Sequence, residues 1–239
     1  MDHIKKVHWY DLCPSARSEI DAPIPRVLHM IWVGKREEPE FFQQHVAQWI
    51  DLMPEWTVRA WRNEDLTETH FEKDVLDLVA RTDIGAQKAD ILRYHILESQ
   101  GGVYVDADVV PHRSMEPIVR LGNPLVICHD LPLTCAYISI GFIAAAPRHV
   151  VLRDACRRCR QVDFSNMDIP FQTGPRVFGL AVFETQPTNG GPYALLPSDC
   201  FYHNRTGDPV LHEGTNEICG HRALDVEARF GSHTYARMW

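Results

Sequence analysis

The sequence predicts an α/β fold, a sandwich of helices around a mostly parallel central sheet. Short apolar runs of strand length alternate with segments whose apolar residues recur at helical spacing. No internal repeat, low-complexity tract or linker rich in Pro, Gly or Ser interrupts that alternation. At 239 residues the chain has a size that one α/β domain with a continuous core can reach. Residues 1–239 are therefore read as a single domain, with 1–23 as an N-terminal extension.

The first strand is Pro25 to Gly34, an apolar run closed by a glycine. Phe42, Val46, Trp49, Ile50 and Met53 then recur at helical spacing until Pro54 ends the pattern. Trp56 to Trp61 predicts a second strand, and Phe71, Val75, Leu78 and Val79 mark a second helix. From Asp83, a candidate N-cap, a helix runs to Gln100 and is stopped by Gly101-Gly102. Further strands are expected at Val103 to Asp106, Leu125 to Cys128 and Phe142 to Ala146, with helices near Val150 to Cys159 and Pro175 to Phe183. Sheets of this kind bind ligands beyond the carboxyl ends of their strands, so chemistry is expected just after Ile31 and just after Val105.

Composition narrows the function classes. A hydrophobic fraction of 45% and a charged fraction of 23% are those of an ordinary globular protein. A formal charge of -8 argues against a nucleic-acid partner, which needs a surplus of Lys and Arg on one face. No stretch has the length of a membrane span and Met1 to His8 lacks a signal-peptide core, so the expected location is cytoplasmic. Seven scattered cysteines read as reduced thiols. The one CxxC, Cys156 and Cys159, reads as two buried side chains on a helix face in preference to a redox or zinc pair. Arg153, Arg157, Arg158 and Arg160 read as a solvated helix face.

The chemistry concentrates in Gly101-Gly102-Val103-Tyr104-Val105-Asp106-Ala107-Asp108. In an extended segment Tyr104, Asp106 and Asp108 share one face, and Val103 and Val105 share the other. Two carboxylates on one side of a strand end repel unless a cation or strong donors lie between them, and a hard divalent ion such as Mg²⁺ or Mn²⁺ fits that place. By itself an Asp-x-Asp is more often a solvated turn. Asp90 and Arg93 share a face of the preceding helix with Gln87. They are either a surface ion pair or a wall of the same cleft. Trp32 is either a core tryptophan or a ligand-stacking one. Thr173-Gly174-Pro175 is either a capped helix start or an N-terminus aimed at acceptor or phosphate.

Three segments together, Ile24 to Gly34, Ala89 to Tyr94 and Gly101 to Val109, resemble the DXD-containing glycosyltransferases. That family includes fungal initiating mannosyltransferases, ceramide-directed mannosyltransferases and the catalytic domains of large clostridial glucosylating toxins. The resemblance covers Ile24 to Ala146 well, and Thr173 to Pro175, Leu196 to Tyr202 and the end at His233 and Trp239 more thinly. It implies a GT-A-like α/β/α sandwich, a nucleotide-sugar donor, Mn²⁺ or Mg²⁺, and retention of anomeric configuration. By position, Trp32 is the aromatic that stacks on the donor base, and Asp90, Arg93 and Tyr104 are donor-site residues. Asp106 touches ribose and sugar with an indirect link to the metal, and Asp108 is the direct metal ligand. His233 is the candidate for a further metal or diphosphate contact, and Trp239 for a tryptophan on a mobile active-site tail over 230–239. The chain departs from the family where Phe230 to Trp239 lacks the usual second His and Ser-Trp ending. It departs again at Ser139-Ile140-Gly141, where many members carry Asn and Ile140 cannot make the polar contact.

The expected function is transfer of a hexose from a UDP- or GDP-sugar to a hydroxyl on a glycan, lipid or protein, with Asp106, Asp108 and Arg93 carrying the chemistry. No carboxylate nucleophile emerges, so positioning and stabilisation of the departing diphosphate would do most of the work. The alternatives are a nucleotide-sugar hydrolase using water as acceptor, and a non-catalytic carbohydrate- or nucleotide-binding module. A housekeeping glycan enzyme and a delivered effector both suit the chain.

Overall fold

The computed structural model describes residues 4–6, 23–129, 138–164, 172–189, 193–196, 198–202 and 230–233. The strands are β1 (Ile4–Lys6), β2 (Val27–Ile31), β3 (Thr57–Trp61), β4 (Gly102–Val105), β5 (Val109–Pro111), β6 (Leu125–His129), β7 (Ile138–Ala145), β8 (Tyr193–Leu196) and β9 (Gly231–His233). The α-helices are α1 (Glu40–Leu52), α2 (Lys73–Ala80), α3 (Gly85–Gln100), α4 (Glu116–Val119), α5 (Val150–Arg160) and α6 (Pro175–Asn189). Seven strands form one sheet in the order β1-β8-β6-β7-β4-β2-β3. All its pairings are parallel except those of β7, which runs antiparallel to both β4 and β6. The expected mostly parallel sandwich is therefore present. Ile4–Lys6, inside the segment read as an extension, supplies the edge strand beside β8.

Helices cover both faces. On one, α2, α3, α5 and α6 bury Val75, Leu78, Ile91, Leu97, Leu152 and Phe178. On the other, α1 and α4 bury Phe42, Trp49 and Ile118 against Leu28, Met30, Val103 and Val105. The alternation read from β4 holds: Tyr104 packs toward α3 while its valine neighbours pack toward α1. Along β7 the phase slips at Gly141. Ile138 and Ile140 share a face with Ile143 and Ala145, whereas Phe142 and Ala144 lie opposite. The β6–β7 register is broken at the same place.

Some local expectations change. Ile50 is about half exposed, and the inward face of α1 runs through Phe42, His45 and Trp49. Asp83 does not cap α3: its exposed carboxylate pairs with Lys35 at 2.9 Å, and the Thr82 hydroxyl accepts the Ile84 N–H at 3.1 Å. Gly101 and Gly102 do end that helix, with φ of 67° and 103°. A Cβ on Gly102 would stand 2.6 Å from the Val27 carbonyl, so only glycine lets β4 start this close to β2. The Cys156 and Cys159 thiols are buried on α5, and burial pushes Cys156 up to about 12, which makes it an inert packing group. The arginines of α5 form ion pairs that tie it to neighbours, Arg158 to Glu184 on α6 and Arg160 to Asp74 on α2. Among the described residues, no helix is long and apolar enough to cross a membrane.

One buried imidazole links the first strand to the glycine pair. His29 Nε2 donates to the Gly101 carbonyl at 3.0 Å, and its Nδ1 accepts from the Trp61 indole at 3.2 Å. This pattern requires the neutral ring. Burial lowers its pKa from 6.5 to about 4, with Arg59 adding to the effect and the Gly101 contact opposing it. A folded-state pKa below the unfolded value means that protons favour the unfolded chain. The stabilisation from neutral His29 is complete above about pH 6.5 and is lost as pH falls toward about 4, a difference of about 3 kcal/mol. Urea unfolding at pH 7 and pH 4.5 should show a larger drop in the wild type than in His29→Met, and equal drops would refute the assignment.

Candidate active site

Parallel pairing of β4 with β2 places their carboxyl ends side by side, so Trp32 and Asp106 emerge on one edge of the sheet. The antiparallel β7 brings its opposite half, Ser139 to Gly141, to that edge. The site is built there, around a buried guanidinium. Arg93 and Asp90 are each 4% exposed, so they are not the surface pair that their spacing also allowed. Arg93 donates through Nη2 to Asp90 at 2.9 Å, and through Nη1 to the Ile140 carbonyl at 2.7 Å and to Asp106 Oδ1 at 3.1 Å. Its Nε reaches the Ala89 carbonyl at 3.3 Å, and its plane lies 4.4 Å over the Tyr104 ring.

Asp106 receives the most support. Its Oδ1 also accepts the Tyr104 hydroxyl at 2.8 Å, and its backbone N–H donates to the Gly141 carbonyl at 2.9 Å. Burial alone would raise its pKa, but the Arg93 charge, His233 and the Tyr104 hydroxyl outweigh that and hold it well below the usual carboxylate range. Tyr104 is pushed up by burial and stays a proton donor. Asp90 is pushed up by burial to about 6 against the pull of Arg93 and of Thr173, whose hydroxyl donates to Asp90 Oδ2 at 2.9 Å. Thr173, open between helix cap and ligand contact, thus binds Asp90. Tyr94 fixes the same loop by donating to the Thr173 and Gly174 carbonyls. Gln87 is buried against Thr82 and Gln172.

The third donor arrives from far along the chain. β9 pairs with β5 so that His233 stands opposite Val109, directly after Asp108. Its Nε2 is 3.2 Å from Asp106 Oδ2 and 3.3 Å from Asp108 Oδ1. Two carboxylate oxygens and one imidazole nitrogen thus lie within 4.8 Å of one another, the one such cluster among the described residues. An O, O, N donor set around a common point fits a divalent cation.

Three contributors were not singled out by residue type. Gly141 leaves room for the site: a Cβ there would stand 2.7 Å from Asp106 Oδ2 and 2.7 Å from the Tyr202 hydroxyl. Tyr202 bonds Ser139 and lies beside the His233 ring, centroids 5.4 Å apart. Ile140 contributes its carbonyl to Arg93 while its side chain packs in the core. No sequence signal reports a backbone carbonyl, and Ser139-Ile140-Gly141 was noted only as a departure from the family. Trp32 is 6% exposed, packed on Phe41 and Phe42, with its indole N–H directed to the Arg36 carbonyl at 3.3 Å. Trp239 lies outside the described residues.

Residues 39–124 match the family described as glycosyltransferase sugar-binding region containing DXD motif. Over that stretch the chain is similar to the DXD-containing glycosyltransferases. It is 28% identical over 175 residues to an uncharacterized glycosyltransferase of Acanthamoeba polyphaga mimivirus, covering 70% of this chain and 68% of that one. It is 27% identical over 162 residues to inositol phosphoceramide mannosyltransferase 3 of Schizosaccharomyces pombe, covering 66% of this chain and 44% of that one. The chain spans about half or less of the fungal mannosyltransferase it matches there. Among solved structures, the PaToxG glycosyltransferase superposes with a TM-score of 0.56 at 17% identity, covering 69% of this chain and 70% of that one. The fold is the GT-A arrangement of these glycosyltransferases.

Two substitutions test the geometry of this glycosyltransferase. Arg93→Met strands the buried Asp90 carboxylate and the partly buried Asp106 and should cost about 3–5 kcal/mol in urea unfolding. A loss under about 1 kcal/mol would show that Arg93 does not hold the site together. Gly141→Ala should displace Asp106 and lower donor turnover on the order of 100-fold, with a stability loss of about 1–3 kcal/mol. Unchanged turnover in Gly141→Ala would mean that the Asp106 position is not critical.

Proposed function

We propose that this glycosyltransferase moves a hexose from a UDP- or GDP-sugar to a hydroxyl acceptor with retention of configuration and with the help of Mn²⁺ or Mg²⁺. The observation that carries the reading is the convergence of Asp106, Asp108 and His233 next to the buried Arg93–Asp90 pair. Asp108 and His233 would hold the ion directly, and Asp106 would meet the donor while completing its surroundings. The imidazole favours Mn²⁺ over Mg²⁺, which prefers an all-oxygen shell. Bound there, the ion would neutralise the diphosphate as it leaves.

The protein's own part is positioning. Arg93 holds Asp106 charged and oriented and sets Asp90 at the sugar end, with Tyr104 fixing the carboxylate from below. Trp32 takes the base end of the donor through the remaining exposed edge of its ring. The start of the segment read as a mobile tail is instead buried Phe230 and strand β9; Trp239, outside the described residues, is proposed as a donor contact, and residues 1–239 as one domain. The acceptor is a hydroxyl of a glycan, lipid or protein. The mannosyltransferase names of these relatives make a nucleotide-activated mannose a first donor to try.

The test is a panel of nucleotide-sugars with Mn²⁺, scored for nucleoside diphosphate release and then for glycosylated product. Turnover should need the metal, and Asp108→Asn should lower it by at least about 100-fold while the thermal midpoint stays within a few degrees. Release that never depends on an acceptor would convert the reading to a hydrolase. Saturable donor binding with no release would leave a binding module, and full activity of Asp108→Asn would overturn the metal assignment.

A further inference from the structure

We propose that His45 is a positioning residue for the cation-binding turn, holding the Ala107 carbonyl so that Asp106 and Asp108 present their carboxylates to one point. The proposal rests on the metal reading above. His45 occupies the inward face of α1, between Phe42 and Trp49, where the helical pattern calls for an apolar side chain. Its ring is 8% exposed, and a buried imidazole in apolar surroundings is unfavourable unless its polar atoms are bonded. Its Nδ1 lies 3.0 Å from the carbonyl oxygen of Ala107, the residue between the two aspartates. A carbonyl only accepts, so Nδ1 carries the proton.

The peptide plane explains why this contact bears on the site. The Ala107 carbonyl and the Asp108 N–H belong to one rigid unit, so fixing that oxygen fixes the backbone from which the Asp108 side chain departs. Asp106 is set from the opposite side, by Arg93, Tyr104 and the Gly141 carbonyl. The turn is therefore gripped from both faces of the sheet, by α3 on one and by α1 on the other. The His45 ring also packs on Phe41, centroids 5.4 Å apart, and Phe41 meets Trp32 edge-on at 6.5 Å. The same stretch of α1 thus contacts the residues that follow β2 and β4.

Supporting groups of this kind change metal affinity by about 10-fold to 100-fold when removed. The experiment measures Mn²⁺ binding to the full chain by the electron paramagnetic resonance of the free ion, with no donor present. The wild type should bind, and Asp108→Asn should not. His45→Phe, which keeps ring volume and loses the donor, should bind about 10-fold more weakly. His45→Asn, whose side-chain amide can place an N–H where Nδ1–H stands, should return to within about threefold of wild type. Should His45→Phe fail to fold, His45→Leu takes its place against His45→Asn. Wild-type affinity in His45→Phe, or equal weakening in the Phe and Asn variants, would overturn the proposal and leave the metal site intact. Absence of Mn²⁺ binding by the wild type would instead overturn the metal reading, and this inference with it.

Discussion

The site depends on one buried guanidinium. Taking a charged side chain out of water costs several kcal/mol unless its hydrogen-bonding capacity is met, and a planar fork of five N–H groups can meet it in several directions at once. Arg93 uses that property fully. It joins a carboxylate on its own helix, a carboxylate at the end of β4, a carbonyl of β7 and a carbonyl one turn back, while its face rests on Tyr104. Two successive elements, α3 and β4, and the more distant β7 are thereby locked to one point. A lysine could supply the charge but not the geometry.

The arrangement of the sheet follows from the same need. Parallel strands deliver Trp32 and Asp106 to one edge, but they deliver only strand ends. The antiparallel β7 threads its other half past that edge, and the phase slip at Gly141 lets consecutive carbonyls of Ile140 and Gly141 serve Arg93 and the Asp106 N–H. The irregularity in the ladder is where the chemistry is held, as is common for bulges near sites.

Much of this was legible in the residues. Period-two and helical spacing located all the main elements between Pro25 and Phe183, and the glycine pair marked the end of α3. Asp106, Asp108, Arg93 and Asp90 were candidates by type and spacing, with bland alternatives that only the family resemblance outweighed. What was not legible has a common cause. β7 is buried on both faces, so its apolar run carries no sign of its direction. Strands of three or four residues, such as β5, β8 and β9, are too short for a period to register. The contribution of Ile140 lies in its backbone, and that of Gly141 in the absence of a side chain. His45 was not read from the sequence at all, because its partner sits more than sixty positions away.

The pairing of β9 with β5 has a consequence for biosynthesis. Asp106, Asp108, Arg93 and His45 all leave the ribosome more than a hundred residues before the imidazole that stands between the carboxylates. The nascent protein can assemble its central strands and bury Arg93 well before the third donor exists. Completion of the cluster therefore waits on a segment made long after the acidic pair, and a chain cut short after β8 would carry that pair without the histidine that joins it.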